Sequence, residues 1–350
     1  MIVYVVLALF PNILGAFFPE LQESKRQKRW FYFICGTIML FVMGLRHYSL
    51  GSTDTLNYYN AMKRALVCDS WEQFYIPVLY EKGSQFFIYA LSRVFNDPQW
   101  LLVISSLIFI VSIFYFADHN SNDIPLSITL YLTLGLMMFH IQGLRQSLAM
   151  SICLFAYEQA KNKHFIRFAL LVWVAMAFHQ TAIVFLPVYI LCRMKYLRKN
   201  LYFMCIATII VVSNATKIIE MANAYFDRSY TDTVEQGGYV SIILYAVILI
   251  FTLVFDRQIK NNSSQTPLLY ILIVGFATYL LRYFGAVIAE RISYYYVFAQ
   301  LALLPNVVRI TVEKDRRMMR SIIIFLAVAL MAYRLNGSEF VPYIFFWEIQ

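Results

Sequence analysis

Long apolar segments recur from one end of this chain to the other, and only short polar loops separate them. Of its 350 residues, 61% are hydrophobic and 14% are charged. A soluble globular domain carries more charge, and apolar stretches of about 20 residues are long enough to cross a bilayer as helices. The sequence therefore predicts an all-α, polytopic integral membrane protein with a single domain over residues 1–350.

Short basic loops set the predicted orientation. They are Lys25–Arg29, Lys161–Arg167, Arg193–Lys199, Asp256–Asn262 and Arg309–Arg320. The positive-inside tendency places such loops in the cytoplasm, so the net charge of +9 needs no nucleic-acid partner. About twelve transmembrane helices follow, near residues 1–18, 30–45, 100–117, 124–139, 146–160, 167–178, 181–192, 200–214, 239–255, 267–281, 292–308 and 321–333.

The apolar stretch Gly83–Phe95 does not fit this alternation. If it crossed the membrane, every later basic loop would change sides, so we expect a re-entrant or interfacial helix that packs against protein. The outer face then receives the loops 46–99 and 214–238 and the tail 334–350, and we expect these segments to contribute to the site.

Six cationic or titratable side chains lie at the edges of apolar segments on this outer face. They are Arg46, Arg145, His179, Arg282, Arg291 and Arg334. Charges at membrane depth are costly and usually functional, and arginines outside run against the orientation rule. Because guanidinium groups bind phosphate oxygens through paired hydrogen bonds, the five arginines predict a site for an anionic ligand, with a lipid-linked diphosphate as the leading candidate.

Three side chains are candidates for proton transfer. Asp54 follows Arg46 and the flexible Gly51, Glu81 lies later in the same loop, and His179 occupies a short break between two apolar segments. Each group can accept a proton from an attacking hydroxyl, so the catalytic base stays open among the three. Structural alternatives also stand, since Asp54 can cap a helix and Arg46 can extend its charge to the interface.

Tyr58, Gln142 and Tyr295 are candidates for sugar contacts, because aromatic rings and amides suit the apolar faces and hydroxyls of a sugar. Arg291 and Tyr295 are i,i+4 neighbours on one predicted helix face. No phosphate-binding loop, dinucleotide fingerprint or metal-ligand motif appears in the sequence. We therefore expect no cofactor and no metal, and a donor that is activated by its own phosphate leaving group.

Several of these motifs resemble the EpsG-like group of Wzy-type polysaccharide polymerases. The similar segments are the tract Arg46, Gly51, Asp54, the segment Gly143–Ala149 and the segment His179–Ala182. The resemblance implies a GT-C-like helical fold and metal-independent, inverting glycosyl transfer at the outer face of the bacterial inner membrane. Oligosaccharides on undecaprenyl diphosphate would serve as donor and acceptor among the membrane lipids, with a chain-length regulator as a partner.

In this resemblance Arg46, Arg145 and His179 match motif positions, whereas Arg282, Arg291 and Arg334 match by location only. An O-antigen ligase that transfers glycan to lipid A core would share the donor and the outer arginines. A lipid-linked oligosaccharide flippase would need polar groups along a central path, and the predicted helix centres are largely apolar. A scaffold role would leave the outer arginines unexplained.

Overall fold

The computed structural model describes residues 1–51, 53–77, 81–225, 238–255, 265–284, 287–310 and 313–348. The regular elements of these residues are helices, and one isolated antiparallel bridge pairs Arg46 with Phe345. The α helices are α1 (Ile2–Ala16), α2 (Lys25–Gly44), α3 (Thr53–Val67), α4 (Trp71–Phe74), α5 (Lys82–Ser92), α6 (Gln99–Asn120), α7 (Ile124–Thr133), α8 (Leu136–Gln142), α9 (Leu144–Lys161), α10 (Phe165–Phe178), α11 (Val188–Leu191), α12 (Arg198–Ser213), α13 (Ala215–Tyr225), α14 (Tyr239–Val254), α15 (Gln265–Leu280), α16 (Val287–Val297), α17 (Gln300–Ile310) and α18 (Glu313–Leu335). Two 3₁₀ segments cover Gln180–Phe185 and Leu281–Phe284.

The predicted helices are present, but three of them are broken. The helix predicted at 124–139 ends at Leu134 and restarts after Gly135, whose φ of 102° only glycine adopts readily. The segment 181–192 is a 3₁₀ turn followed by α11, because Pro187 lacks the N–H that a continuous helix needs. The segment 292–308 divides into α16 and α17 at residues 298–299, where no glycine or proline explains the break.

Helix α6 connects the two ends of the molecule. Its 22 residues span about 33 Å at a rise of 1.5 Å per residue. At its first turn, Gln99 donates to the carbonyl oxygens of Gly44 and Arg46. Its last turn lies at the end of the molecule where the predicted cytoplasmic loops meet.

Charged groups from several basic loops meet at that far end. Lys28 lies 2.7 Å from Asp118, and Arg320 lies 2.7 Å from Asp123. Lys161 donates to Asn120 Oδ1 at 2.8 Å, and Arg193 donates to the backbone oxygen of Ala160 at 2.7 Å. The prediction that these loops share one end is therefore confirmed for four of them, while the loop 256–262 lies outside the described residues.

Within the described residues, Gln99–Asn120, Gln265–Phe284 and Asp315–Leu335 are long and apolar enough to cross a membrane alone. The pair Ile124–Thr133 and Leu136–Gln142 adds a fourth if its 54° bend lies within one span. A polytopic membrane protein agrees with these helices. The count of about twelve spans and the GT-C-like comparison stay predictions.

The apolar stretch of the outer loop that was predicted to be a re-entrant or interfacial helix forms α5. Its 11 residues reach about 16 Å, which is roughly half a bilayer and agrees with a helix that does not cross. It packs against α3, α6 and α10. A Cβ on Gly83 would lie 2.6 Å from the backbone oxygen of Ala177, so only glycine permits this close approach. The approach brings Glu81, just before α5, to the end of α10.

Candidate functional site

A polar cavity of about 170 Å³ lies at the end of the molecule opposite the basic loops. Its lining combines two arginines, a carboxylate, a histidine, two amides and two aromatic rings. We call it the histidine cavity, and it is lined by Asp54, Tyr58, Phe139, Gln142, Gly143, Arg145, Gln146, His179 and Arg291. Four of the predicted binding residues (Tyr58, Gln142, Arg145 and Arg291) and two of the three candidate bases (Asp54 and His179) belong to this lining.

Helix α3 and the α8–α9 break build one side of this cavity. Gly51 has a φ of 101°, and a Cβ there would lie 2.8 Å from Ile141. The turn therefore packs tightly on the end of α8. Thr55 Oγ1 then donates to the backbone oxygen of Ile141 at 3.1 Å. These contacts place Asp54 and Tyr58 opposite the start of α9.

Glu81, Arg145 and His179 form a buried network beside the cavity. Arg145 Nη1 donates to Glu81 Oε2, and Arg145 Nε donates to Tyr58 Oη at 3.2 Å. Glu81 Oε1 lies 3.4 Å from His179 Nδ1 and accepts the backbone N–H of Gln180 at 3.3 Å. The carboxylate thus holds an arginine with one oxygen and a histidine with the other.

The charges of this network follow from its burial and its partners. Burial alone would raise the pKa of the Glu81 carboxyl, but His179 and the Arg145 charge lower that pKa to about 2. Burial lowers the pKa of the His179 imidazole. The charges of Arg145 and Arg291 also lower this pKa, whereas Glu81 raises it. At neutral pH we therefore assign an ionised Glu81 beside a neutral His179.

A neutral imidazole with this orientation can accept a proton. Its contacts with Glu81 and with Thr181, at 3.5 Å, both involve Nδ1. If Nδ1 carries the hydrogen and donates it to the carboxylate, Nε2 is the basic nitrogen. A carboxylate that fixes the tautomer of a histidine is a recurrent arrangement for activating a hydroxyl. This arrangement can therefore accept a proton at His179 Nε2 while Glu81 holds the imidazole in place.

A second cavity of about 220 Å³ adjoins the first. Phe139 and Gln142 line both cavities, and the Phe139 ring stacks on Tyr294 with centroids 4.0 Å apart. We call it the Arg334 cavity, since the guanidinium of Arg334 lies in its wall. Arg334 donates to Ser241 Oγ at 2.8 Å and to the backbone oxygen of Leu134 at 3.2 Å.

Two of the remaining candidates, Arg282 and Tyr295, line neither cavity. Arg282 Nε lies 3.1 Å from Glu290 Oε2, and Glu290 lines the Arg334 cavity. Tyr295 is buried and accepts a hydrogen bond from Thr181 Oγ1 at 3.3 Å. Tyr295 therefore supports the turn after His179 instead of lining the histidine cavity.

Arg46 lies outside both cavities. It is 2% exposed and donates to the backbone oxygens of Met43 and, at 3.1 Å, Ile141. The adjacent backbone pairs with the tail, since His47 N–H donates to Ile344 O at 2.9 Å. Arg46 therefore links α2 and the C-terminal tail to the end of α8, which carries Gln142.

This placement gives a prediction for Arg46→Met. The backbone oxygen of Met43 loses this donor, whereas that of Ile141 keeps its hydrogen bond from Thr55. Loss of a buried partner costs about 1–3 kcal/mol of unfolding free energy, so the variant should denature at a lower temperature and accumulate less. Its product per folded molecule should stay near the wild-type level. Thermal unfolding in detergent and quantified product test this, with the exposed Arg29→Met as the control. A stable but inactive Arg46→Met protein would instead favour direct ligand binding.

The Glu81 carboxyl gives a pH prediction. Its pKa is about 2 in the folded chain and 4.5 ordinarily, so the stabilisation is present above about pH 4.5 and is lost as the pH falls toward 2. At neutral pH, Glu81→Gln should unfold with on the order of 3 kcal/mol less free energy than wild type. The unfolding temperatures of wild type and Glu81→Gln, measured over this pH range, should become equal at low pH. A difference in unfolding temperature between wild type and Glu81→Gln that does not change with pH would contradict the low pKa of Glu81. The same difference for exposed Glu23→Gln would also contradict it.

Several lining residues were absent from the sequence-based candidates. Gln146 donates to the backbone oxygen of Arg291 and so links α9 to α16. Phe139 and Tyr294 form the wall between the cavities. Gln142 and Gln146 are four residues apart on either side of Gly143, and this spacing of two amides is a signal that could have identified Gln146.

The comparison with protein families covers most of the chain. The model of the EpsG family matches residues 29–345. No curated protein and no solved structure matches this sequence. The match contains the network of Glu81, Arg145 and His179 and both cavities. The chain belongs to the EpsG family.

Proposed function

We propose that this protein is a polysaccharide polymerase that joins lipid-linked oligosaccharide repeat units by inverting glycosyl transfer. The donor and the acceptor would both be oligosaccharides on undecaprenyl diphosphate, at the outer face of the bacterial inner membrane. Family membership supports a polymerase-type activity. The proposal that glycosyl transfer takes place at this end of the molecule is based on the chemistry of the two cavities.

The observation that carries the proposal is the Glu81–His179 pair at the wall of a cavity that also contains Arg145 and Arg291. Glycosyl transfer from a diphosphate needs a base for the attacking hydroxyl and positive charge for the departing phosphate. A neutral histidine and nearby guanidinium groups meet both needs. Asp54 lines the same cavity and is the second candidate base.

The proposed step forms one bond and breaks one bond. A hydroxyl of the acceptor sugar attacks the anomeric carbon of the donor from the side opposite the diphosphate, so the configuration inverts. The hydroxyl proton passes to His179 Nε2, and the bond from the anomeric carbon to the phosphate oxygen breaks. The carrier diphosphate leaves with the electron pair, and the arginines stabilise its charge.

Sugar contacts in this proposal come from the walls of the histidine cavity. Tyr58 and Gln142 line it and contribute a phenol and an amide to its wall. Such groups bind the apolar face and the hydroxyls of a sugar. Gln142 also lines the Arg334 cavity, so one side chain can contact both reacting partners.

Deletion of the gene in its host, with plasmid complementation, tests the proposal. We expect the surface glycan to collapse from a ladder to a single repeat on its acceptor, and the plasmid to restore the ladder. Loss of surface glycan with polymer retained on the carrier lipid would instead identify an O-antigen ligase. An unchanged ladder would contradict both enzymes.

A further inference from the structure

An apolar groove of about 470 Å³ runs along the outside of the helical bundle. Its walls are α14, which packs on α15 and α17, and α18, which packs on α7 and α17. Its floor consists of Leu130 of α7, Leu134 directly after α7, and Leu304 of α17. On the rim, Ile243 is 62% exposed and Leu326 is 59% exposed. The groove therefore opens sideways, toward the acyl chains of the predicted membrane.

The groove extends through about half of a bilayer. Along α14 it reaches from Val240 to Phe251, and along α18 from Met319 to Leu330. Eleven helical residues rise by about 17 Å, whereas the hydrocarbon core of a bilayer is about 30 Å thick. A groove of this length suits the lipid tail of a molecule that belongs to one leaflet.

The outer end of the groove meets the Arg334 cavity directly. Leu134 and Leu330 line the groove, and their chain neighbours Gly135 and Met331 line the cavity. On α14, Val240 lines the groove and the adjacent Ser241 lines the cavity. An apolar channel thus ends at a guanidinium, and the Arg334 cavity shares Gln142 with the histidine cavity.

The charges of the two cavities differ. Arg145 is paired with the Glu81 carboxylate, so its charge is largely balanced in the absence of ligand. The hydrogen bonds of Arg334 within the described parts of the chain go to a hydroxyl and a backbone carbonyl, which are neutral. The carboxylate of Glu290 also lines this cavity, but it is paired with Arg282. A charge-balanced arginine suits a sugar or a transient charge, whereas Arg334 suits a ligand that brings its own negative charge.

We propose that the groove holds the first isoprene units of the acceptor's carrier lipid and that Arg334 binds the diphosphate of that carrier, with the lipid arriving sideways between α14 and α18. This inference rests on the proposed function and adds a route and a position for the carrier. A diphosphate at Arg334 directs the attached sugar past Gln142 toward His179. The complementarity of an apolar groove to a polyprenyl chain, and of a cation to a diphosphate, supports this occupant.

Binding of undecaprenyl diphosphate to the purified full-length protein in phosphatidylcholine nanodiscs tests the inference without any sugar. Arg334→Gln should weaken binding about tenfold to a hundredfold, since charge-assisted hydrogen bonds are lost. Leu326→Trp should also weaken binding by filling the groove, and its wild-type unfolding temperature would show an intact fold. Ile250→Trp is the control, because Ile250 is 64% exposed on α14 but does not line the groove.

Wild-type affinity in both Arg334→Gln and Leu326→Trp would overturn the inference. So would displacement of undecaprenyl diphosphate by an equal concentration of phosphatidylglycerol, because the groove would then bind ordinary bilayer lipids. Neither result would affect the glycan ladder, which tests the polymerase separately. Conversely, normal binding with no polymer in the host would support the carrier site and contradict the proposed function.

Discussion

Replacing His179 by alanine is expected to lower the rate of repeat-unit joining by about 10²–10⁴-fold, which is the usual contribution of a positioned base. The cells should then show single repeats in place of a ladder. The reason is the geometry of Nδ1, which faces the buried Glu81 carboxylate at 3.4 Å and leaves Nε2 as the basic nitrogen. Gel analysis of the glycan, normalised to folded protein, measures the effect.

Two variants make the His179 result specific. Glu81→Gln keeps the shape of the side chain but weakens its hold on the imidazole, so a smaller loss of rate is expected. His119→Ala removes an exposed histidine from the last turn of α6, far from the histidine cavity, and should leave the ladder unchanged. A folded His179→Ala protein that makes a normal ladder would transfer the role of base to Asp54.

The second large effect is expected for Arg145→Ala, which should abolish long glycan and leave single-repeat material. The substitution removes a positive charge from the histidine cavity and the partner of Glu81. Breaking a buried ion pair on one side costs about 3–5 kcal/mol because the other charge stays buried. Part of the loss can therefore come from a less stable fold, and product must be measured per folded molecule.

A charge-balanced double variant separates the two causes. Arg145→Gln combined with Glu81→Gln removes both charges, so it should recover much of the stability that the single alanine loses. It should remain unable to make long glycan, because no guanidinium faces the cavity from α9. Arg167→Ala, at an exposed position near the basic loops, is the control. Normal chain length in the stable double variant would contradict a functional role for Arg145.

The sequence predicted the helices and much of the site because both depend on local patterns. Apolar length predicted the helices, and polar residues at the ends of apolar segments identified Asp54, Arg145, His179 and Arg291. The structure brings these four together at the histidine cavity. Arg46 shows the limit of this reasoning, since a cation at a helix end has the same sequence pattern whether it binds ligand or backbone carbonyls.

Other features depend on contacts between distant segments. Glu81 reaches His179 because Gly83 lets α5 approach α10, and a single sequence does not show that pairing. The apolar groove forms between α14 and α18, which are far apart in the chain. The break between α16 and α17 at residues 298–299 has no local signal. The order of helices was thus predictable, whereas the base assignment and the carrier route required the packing.

Reconstitution of the purified protein with its lipid-linked repeat unit as the sole substrate tests the central claim most directly. The account predicts products of two, three and more repeats without added nucleotide or metal, and one undecaprenyl diphosphate released for each bond formed. His179→Ala under the same conditions should release almost none. A folded wild-type protein that leaves the repeat unit unchanged, or that joins repeats equally well without His179, would contradict the account.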